Sequence, residues 1–257
     1  WLAEGGFRVW QMLPLGPVGE SLSPYQMSSA FAGNPRLIDP ASLPVTRWLP
    51  ARGTSGDAAW ASRQVLLREA WLAFVAHASP EEKAAYQEHW QAQRAWLLPF
   101  ALFRVARSRH GDAVWWTWPV AVRRRQPDAM AVLLREAAGE IHEIAFEQWV
   151  FDRQWLALRN RARQHGIELL GDLPIYVDLD SADVWWHRRL FRVDEDGRPE
   201  AVAGVPPDYF SAEGQLWGNP LYDWDAMRAE GYRWWVDRVR AQLRWFDHLR
   251  IDHFRGL

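Results

Sequence analysis

Three short segments rich in apolar residues, FRVWQMLPL from Phe7, IELLGDLPIYV from Ile167 and HLRIDHF from His248, are separated by long stretches of helical periodicity. Strands that recur only after intervening helices pair in parallel, because a parallel partner is reached by a crossover and not by a hairpin. The order therefore predicts an α/β fold. Long loops after the strand C-termini point further to a TIM barrel with helical insertions, although periodicity alone fits an open doubly wound sheet as well.

Between the strands, apolar residues recur at helical spacing from Ala58 to Arg109, with a capped helix start at Ser79-Pro80-Glu81-Glu82. The same spacing returns from about Asp128 to His165, where Gly166 supplies a C-terminal cap. A further helix is expected from about Asp225 to Phe246, a short one capped by Ser181 through Leu190, and a tight turn in the stretch Asp194 to Glu200. The chain divides on this basis into a first strand with a Gly/Pro/Ser-rich loop (1–40), an inserted helical subdomain (41–127) and further strands and helices (128–257), with an aromatic loop of turn formers at 203–220.

With 257 residues, 49% of them apolar, the chain can bury a sizeable core. A formal charge of -2 leaves no basic surplus to neutralise phosphates, so no nucleic-acid partner is expected. No apolar run approaches the roughly 20 residues that cross a bilayer, which sets a membrane aside. The absence of cysteine excludes a disulfide framework and a thiolate zinc site, and suits a reducing cytoplasm. The chain opens at Trp1 and stops at Leu257 soon after a strand-like segment, so both ends read as cut. Its 19 tryptophans are mostly expected in the core, with a minority in loops free to stack on a ligand. In the pairs Trp115-Trp116, Trp185-Trp186 and Trp234-Trp235, one ring is expected to pack inward.

In a strand alternate residues share a face, so Arg250 and Asp252 project together while Leu249 and Ile251 point the other way. A guanidinium beside a carboxylate favours the anion that a nucleophile needs, and the C-terminal end of a strand is where barrel active sites form. The pair reads equally well as a structural ion pair. Asp172, in LLGDLPIYV, offers a carboxylate for a ligand hydroxyl; alternatively it caps the turn that follows, the commoner pattern. VPPDYFSAEGQLWGNP from Val205 sets Tyr209, Phe210 and Trp217 beside Asp208, Glu213, Gln215 and Asn219. Flat apolar rings among hydrogen-bonding groups are what a sugar site uses, but such a loop can also be anchored by its own aromatics. Asp178, Asp180 and Asp183 lack the Gly and distal Glu of a calcium loop and read as helix caps. The histidines form no metal pattern, and His253 alternates away from Asp252. No metal or cofactor is implied.

Several long segments together are similar to one family: WQMLPLGPVGESLSPYQMSSAFAGNPRLIDP from Trp10, FEQWVFDRQW from Phe146, GIELLGDLPIYVDLDSADVW from Gly166, AGVPPDYFSAEGQLWGNPLYDWD from Ala203 and LRIDHFRG from Leu249. They resemble the amylomaltases, the 4-α-glucanotransferases of glycoside hydrolase family seventy-seven. The resemblance implies a (β/α)₈ TIM barrel of the α-amylase group with helical insertions, of which this chain would hold about the first half. It also implies a retaining reaction that cuts an α-1,4-glucan and rejoins the piece to the 4-hydroxyl of another glucan or of glucose. The substrates would be maltooligosaccharides and glucans derived from starch or glycogen.

Matched motif by motif, the resemblance makes Asp252 the nucleophile with Arg250 two residues before it. It brings Ser23, Tyr25 and Asp172 to the donor sugar, and Phe210, Glu213, Gln215, Trp217 and Asn219 to the acceptor side. The family's general-acid Glu and third carboxylate would lie beyond Leu257, so this stretch alone is expected to be inactive. Two other readings stay open: an α-amylase-type hydrolase with water as acceptor, and a non-catalytic glucan-binding protein that keeps the aromatic residues.

Overall fold

The computed structural model describes residues 1–19, 21–43, 60–207, 209 and 211–256. Its strands are β1 (Val9–Gln11), β2 (Glu168–Leu173), β3 (Val202–Val205), β4 (Gln215–Pro220) and β5 (His248–Ile251). Its α-helices are α1 (Trp60–His77), α2 (Pro80–Arg109), α3 (Val120–Arg123), α4 (Pro127–Glu136), α5 (Ala138–Gln164), α6 (Ala182–Trp186), α7 (Trp224–Ala229) and α8 (Arg233–Trp245). β1, β2 and β5 form a parallel sheet in that order, so the expected α/β alternation is present.

Register decides what each face of this sheet carries. Gly171 pairs with Leu249 and Leu173 with Ile251, and these positions, with Leu169, face the helices. Leu169 and Leu173 are buried there, and Leu249 and Ile251 pack against the same core. Gly171 is needed for this packing: a Cβ on it would lie 2.4 Å from the ring of Phe246. The opposite face carries Leu170 beside His248 and Asp172 beside Arg250.

The helices meet the sequence expectation closely at their caps. Ser79 and Glu82 form a reciprocal capping box, Ser79 Oγ accepting from Glu82 N and the Glu82 carboxylate from Ser79 N. Gly166, at φ +70°, ends α5. Helix α5 packs along α2, and the rings of Trp71, Phe74, Tyr86, Phe146 and Trp149 join α1, α2 and α5 in one cluster. Gln148 of α5 also fixes the loop after β1: its Oε1 accepts from Gly33 N at 2.8 Å and its Nε2 donates to Gly33 O at 2.9 Å.

Four expectations are corrected. The first strand is shorter than Phe7 to Leu15, covering only Val9–Gln11, and Pro14 can donate nothing to a ladder. The stretch 203–220 is not one loop, since its ends pair as the antiparallel hairpin β3–β4. The helix drawn from Asp225 to Phe246 is two helices, broken where Gly231 and Tyr232 take positive φ values of 66° and 54°. Trp234 and Trp235 are both buried, at right angles to each other, because α8 is enclosed on more than one side.

Candidate active site

At the C-terminal ends of β2 and β5 lies a cavity of about 500 Å³, lined among others by Tyr25, Asp172, Tyr176, Trp217, Asp252 and His253. Asp172 and Arg250 are register partners on adjacent strands, so their side chains emerge side by side. Arg250 then bridges two carboxylates, Nη2 donating to Asp252 Oδ2 at 2.7 Å while Nη1 lies 3.5 Å from Asp172 Oδ2. The two acids differ in setting. The Asp172 side chain is 2% exposed and that of Asp252 is 67% exposed, open to the cavity.

Asp172 does not cap the turn after it, as its commoner pattern suggested. Its Oδ2 accepts a hydrogen bond from the Tyr25 hydroxyl at 2.9 Å, and its Oδ1 is buried with no hydrogen-bond partner among the described residues. Burial, followed by the bond to Asp172, pushes the Tyr25 hydroxyl above its ordinary pKa, which keeps it a donor at neutral pH. Tyr25 is delivered by a turn in which Ser23 O accepts from Gln26 N at 3.1 Å and Ser23 Oγ from Tyr25 N at 3.3 Å. Ser23 and Gln26 both reach the cavity.

Strand β4 supplies the opposite wall. Trp217 and Asn219 line the cavity from β4, whose regular alternation is interrupted between them at Gly218, with φ +78°. Gln215 Oε1 accepts from Trp217 Nε1 at 3.0 Å, which fixes the indole, and Asn219 Nδ2 donates to Val177 O at 2.8 Å, which ties the hairpin to the segment after β2. Glu213 is exposed at the hairpin tip and does not line the cavity. Phe210 lies outside the described residues.

His253 and Tyr176 were missed as cavity residues. The strand stops at Ile251, and His253 takes φ +50°, so simple alternation no longer applies; its ring stands edge-on to Trp217 with centres 4.9 Å apart. Tyr176 lies within the quoted LLGDLPIYV motif, four residues after Asp172, and its ring centre is 6.3 Å from that of Trp217. The aspartates read as helix caps are held otherwise. Ser181 is the cap of α6; Asp180 accepts from Arg107 at 2.6 Å, and Asp183 from Ala30 N at 2.8 Å. Among the described residues no group of three or more His, Asp or Glu side chains is placed to hold a metal ion.

A larger cavity of about 820 Å³ lies between α2, α6 and α8. Its acids are already engaged, Glu230 with Arg189, Asp237 with Arg240 and Asp183 with the Ala30 amide. At the strand ends, by contrast, the Asp252 carboxylate is both held by Arg250 and open to its cavity.

A family model described as 4-alpha-glucanotransferase matches residues 1–257. The 4-alpha-glucanotransferase of Thermus thermophilus is 45% identical over 262 residues, covering 99% of this chain and 52% of that relative. That of Aquifex aeolicus strain VF5 is 40% identical over 265 residues, with 99% and 53% covered. An amylomaltase structure from Streptococcus agalactiae, in complex with acarbose, superposes with a TM-score of 0.90 at 34% identity, covering 99% of this chain and 54% of that one. The chain spans about half the length of the relatives it matches. It belongs to the 4-alpha-glucanotransferase family, glycoside hydrolase family 77.

Proposed function

We propose that the protein carrying this chain is a 4-α-glucanotransferase that moves an α-1,4-glucan segment from a donor to the 4-hydroxyl of another glucan or of glucose, and that Asp252 is its nucleophile. The observation that carries the reading is the pairing of an exposed carboxylate, Asp252, with Arg250 at a strand C-terminus, beside the buried acid Asp172 and the ring of Trp217. In the first displacement Asp252 attacks the anomeric carbon and forms an ester, while a proton from a general acid goes to the departing glucan oxygen. In the second, the acceptor hydroxyl gives up its proton to the same group and displaces Asp252, so configuration is retained. Arg250 holds Asp252 in place through the hydrogen bond to its Oδ2. Tyr25, Asp172 and the Ser23 turn meet the hydroxyls of the donor sugar, and Trp217, fixed by Gln215, stacks on the acceptor sugar with Asn219 holding the hairpin. The resemblance assigns Glu213 and Phe210 to the acceptor side as well.

By the same reading β1, β2 and β5 are neighbouring strands of a (β/α)₈ barrel of the α-amylase group, and 41–127 is a helical subdomain inserted after the first strand. The similarity to an amylomaltase in complex with acarbose supports both the architecture and an α-glucan ligand. The lack of cysteine accords with a cytoplasmic enzyme. Full-length protein incubated with maltotriose should give glucose together with maltodextrins longer than the substrate. Products no longer than maltotriose would indicate a hydrolase and overturn the transferase reading.

A further inference from the structure

Arg238 of α8 is 0% exposed. A guanidinium keeps its charge, so full burial is unfavourable unless its donors are met. Its two Nη groups find acceptors, chiefly in the main chain just after Asp172: Nη2 donates to Pro174 O at 2.5 Å, and Nη1 to Ile175 O at 3.4 Å and to the Tyr222 hydroxyl at 3.2 Å. The guanidinium lies 5.4 Å from the ring centre of Trp234 and 4.9 Å from that of Trp235. Tyr222 repeats the attachment, its hydroxyl donating to Ile175 O at 2.7 Å while its ring stacks on Tyr176, centres 5.9 Å apart. β2 ends at Leu173 and Pro174 has no N–H, so α8 takes over where the ladder stops. The segment it grips, Pro174 to Tyr176, is one wall of the active-site cavity. Arg238 and Asp172 also border one small cavity, and each has a buried polar atom without a hydrogen-bond partner, Nε and Oδ1.

We propose that Arg238 is a positioning residue of the active site, which fixes Asp172 and Tyr176 against the sugar through the Pro174 and Ile175 carbonyls without touching the sugar itself. The proposal rests on the glucanotransferase reading. Lysine keeps the charge but loses the planar fork that serves several acceptors at once, so in the full-length protein Arg238→Lys should lower kcat/KM for maltotriose by about tenfold or more, mainly in kcat. Tyr222→Phe, which retains the ring, should give a smaller loss in the same direction, and it carries the test if Arg238→Lys does not fold. Arg159→Lys is the structural control. Arg159 grips Asp247 at 2.9 Å at the other, N-terminal end of the strands, and its replacement should lower Tm while leaving kcat/KM within about twofold. A folded Arg238→Lys protein within about twofold of wild type, or a loss no greater than that of Arg159→Lys, overturns the proposal. Asp252→Asn measured alongside separates the claims: if it stays fully active the assignment of Asp252 as nucleophile fails, if no variant and not even wild type gives transfer products the glucanotransferase reading fails, and if Asp252→Asn is inactive while Arg238→Lys is normal only the positioning role fails.

Discussion

Tyr25 and Asp172 are 147 residues apart in sequence and joined by one hydrogen bond of 2.9 Å. Removing the hydroxyl leaves a buried carboxylate oxygen with Arg250 alone, so Tyr25→Phe should lower kcat/KM about tenfold, the equivalent of roughly 1.4 kcal/mol, while the protein stays folded. Steady-state kinetics beside a melting curve measures both. The sequence could present Asp172 only as an acid before a turn, and the commoner use of such an acid is a cap. Its actual partners, Tyr25 and Arg250, come from distant segments that the parallel register brings together, and no local pattern encodes them. Arg250 and Asp252 were legible because two-residue alternation carries through the end of β5. His253 was not, because its positive φ breaks that alternation one residue later.

Strand β2 shows how tightly an element can be specified by a single small residue. With Phe246 2.4 Å from where a Cβ would stand, Gly171→Ala must push the ring or the strand aside, at about 1–3 kcal/mol. Chemical denaturation should register that loss, and because Asp172 is the next residue, activity should fall further than Tm suggests. By contrast, Ser79→Ala removes a cap far from the cavity, so it should cost about 1 kcal/mol in stability and leave kcat/KM unaltered. Caps were readable because each depends on a few adjacent residues. The β3–β4 hairpin was not: its strands are separated by turn formers, and their pairing is irregular between Val202 and Gly204. The break before α8 was hidden because Gly231 sits within an otherwise helical pattern.

Acid acts on buried charge throughout the chain. His187 is held down to about 4 by burial and by the charges of Arg125 and Arg189, and burial lowers His89 in the same direction. Each takes up a proton in the unfolded chain near 6.5 but resists it when folded, so each contributes stability that is lost as pH falls from about 6.5 toward 4. Asp183 has the opposite sign. Complete burial pushes it up to about 6 against the hydrogen bond from Ala30 N and the charge of Arg238, so folding gains as pH falls from about 6 toward 4. Asp183→Asn removes the gain, so its stability relative to wild type should decline between pH 7 and pH 4.5 in urea titrations. The alternation of the three parallel strands with helices was legible, since period and length are local properties; which acids would be buried depended on packing and was not.

The central claim is that Asp252 forms a covalent bond to the glucan. Full-length protein mixed with a maltooligosaccharide fluoride, quenched in acid within the first turnovers, digested and analysed by mass spectrometry should yield a peptide carrying a glycosyl unit on Asp252, and none from Asp252→Asn. A glycosyl unit on another carboxylate, or continued transfer by Asp252→Asn, would contradict it.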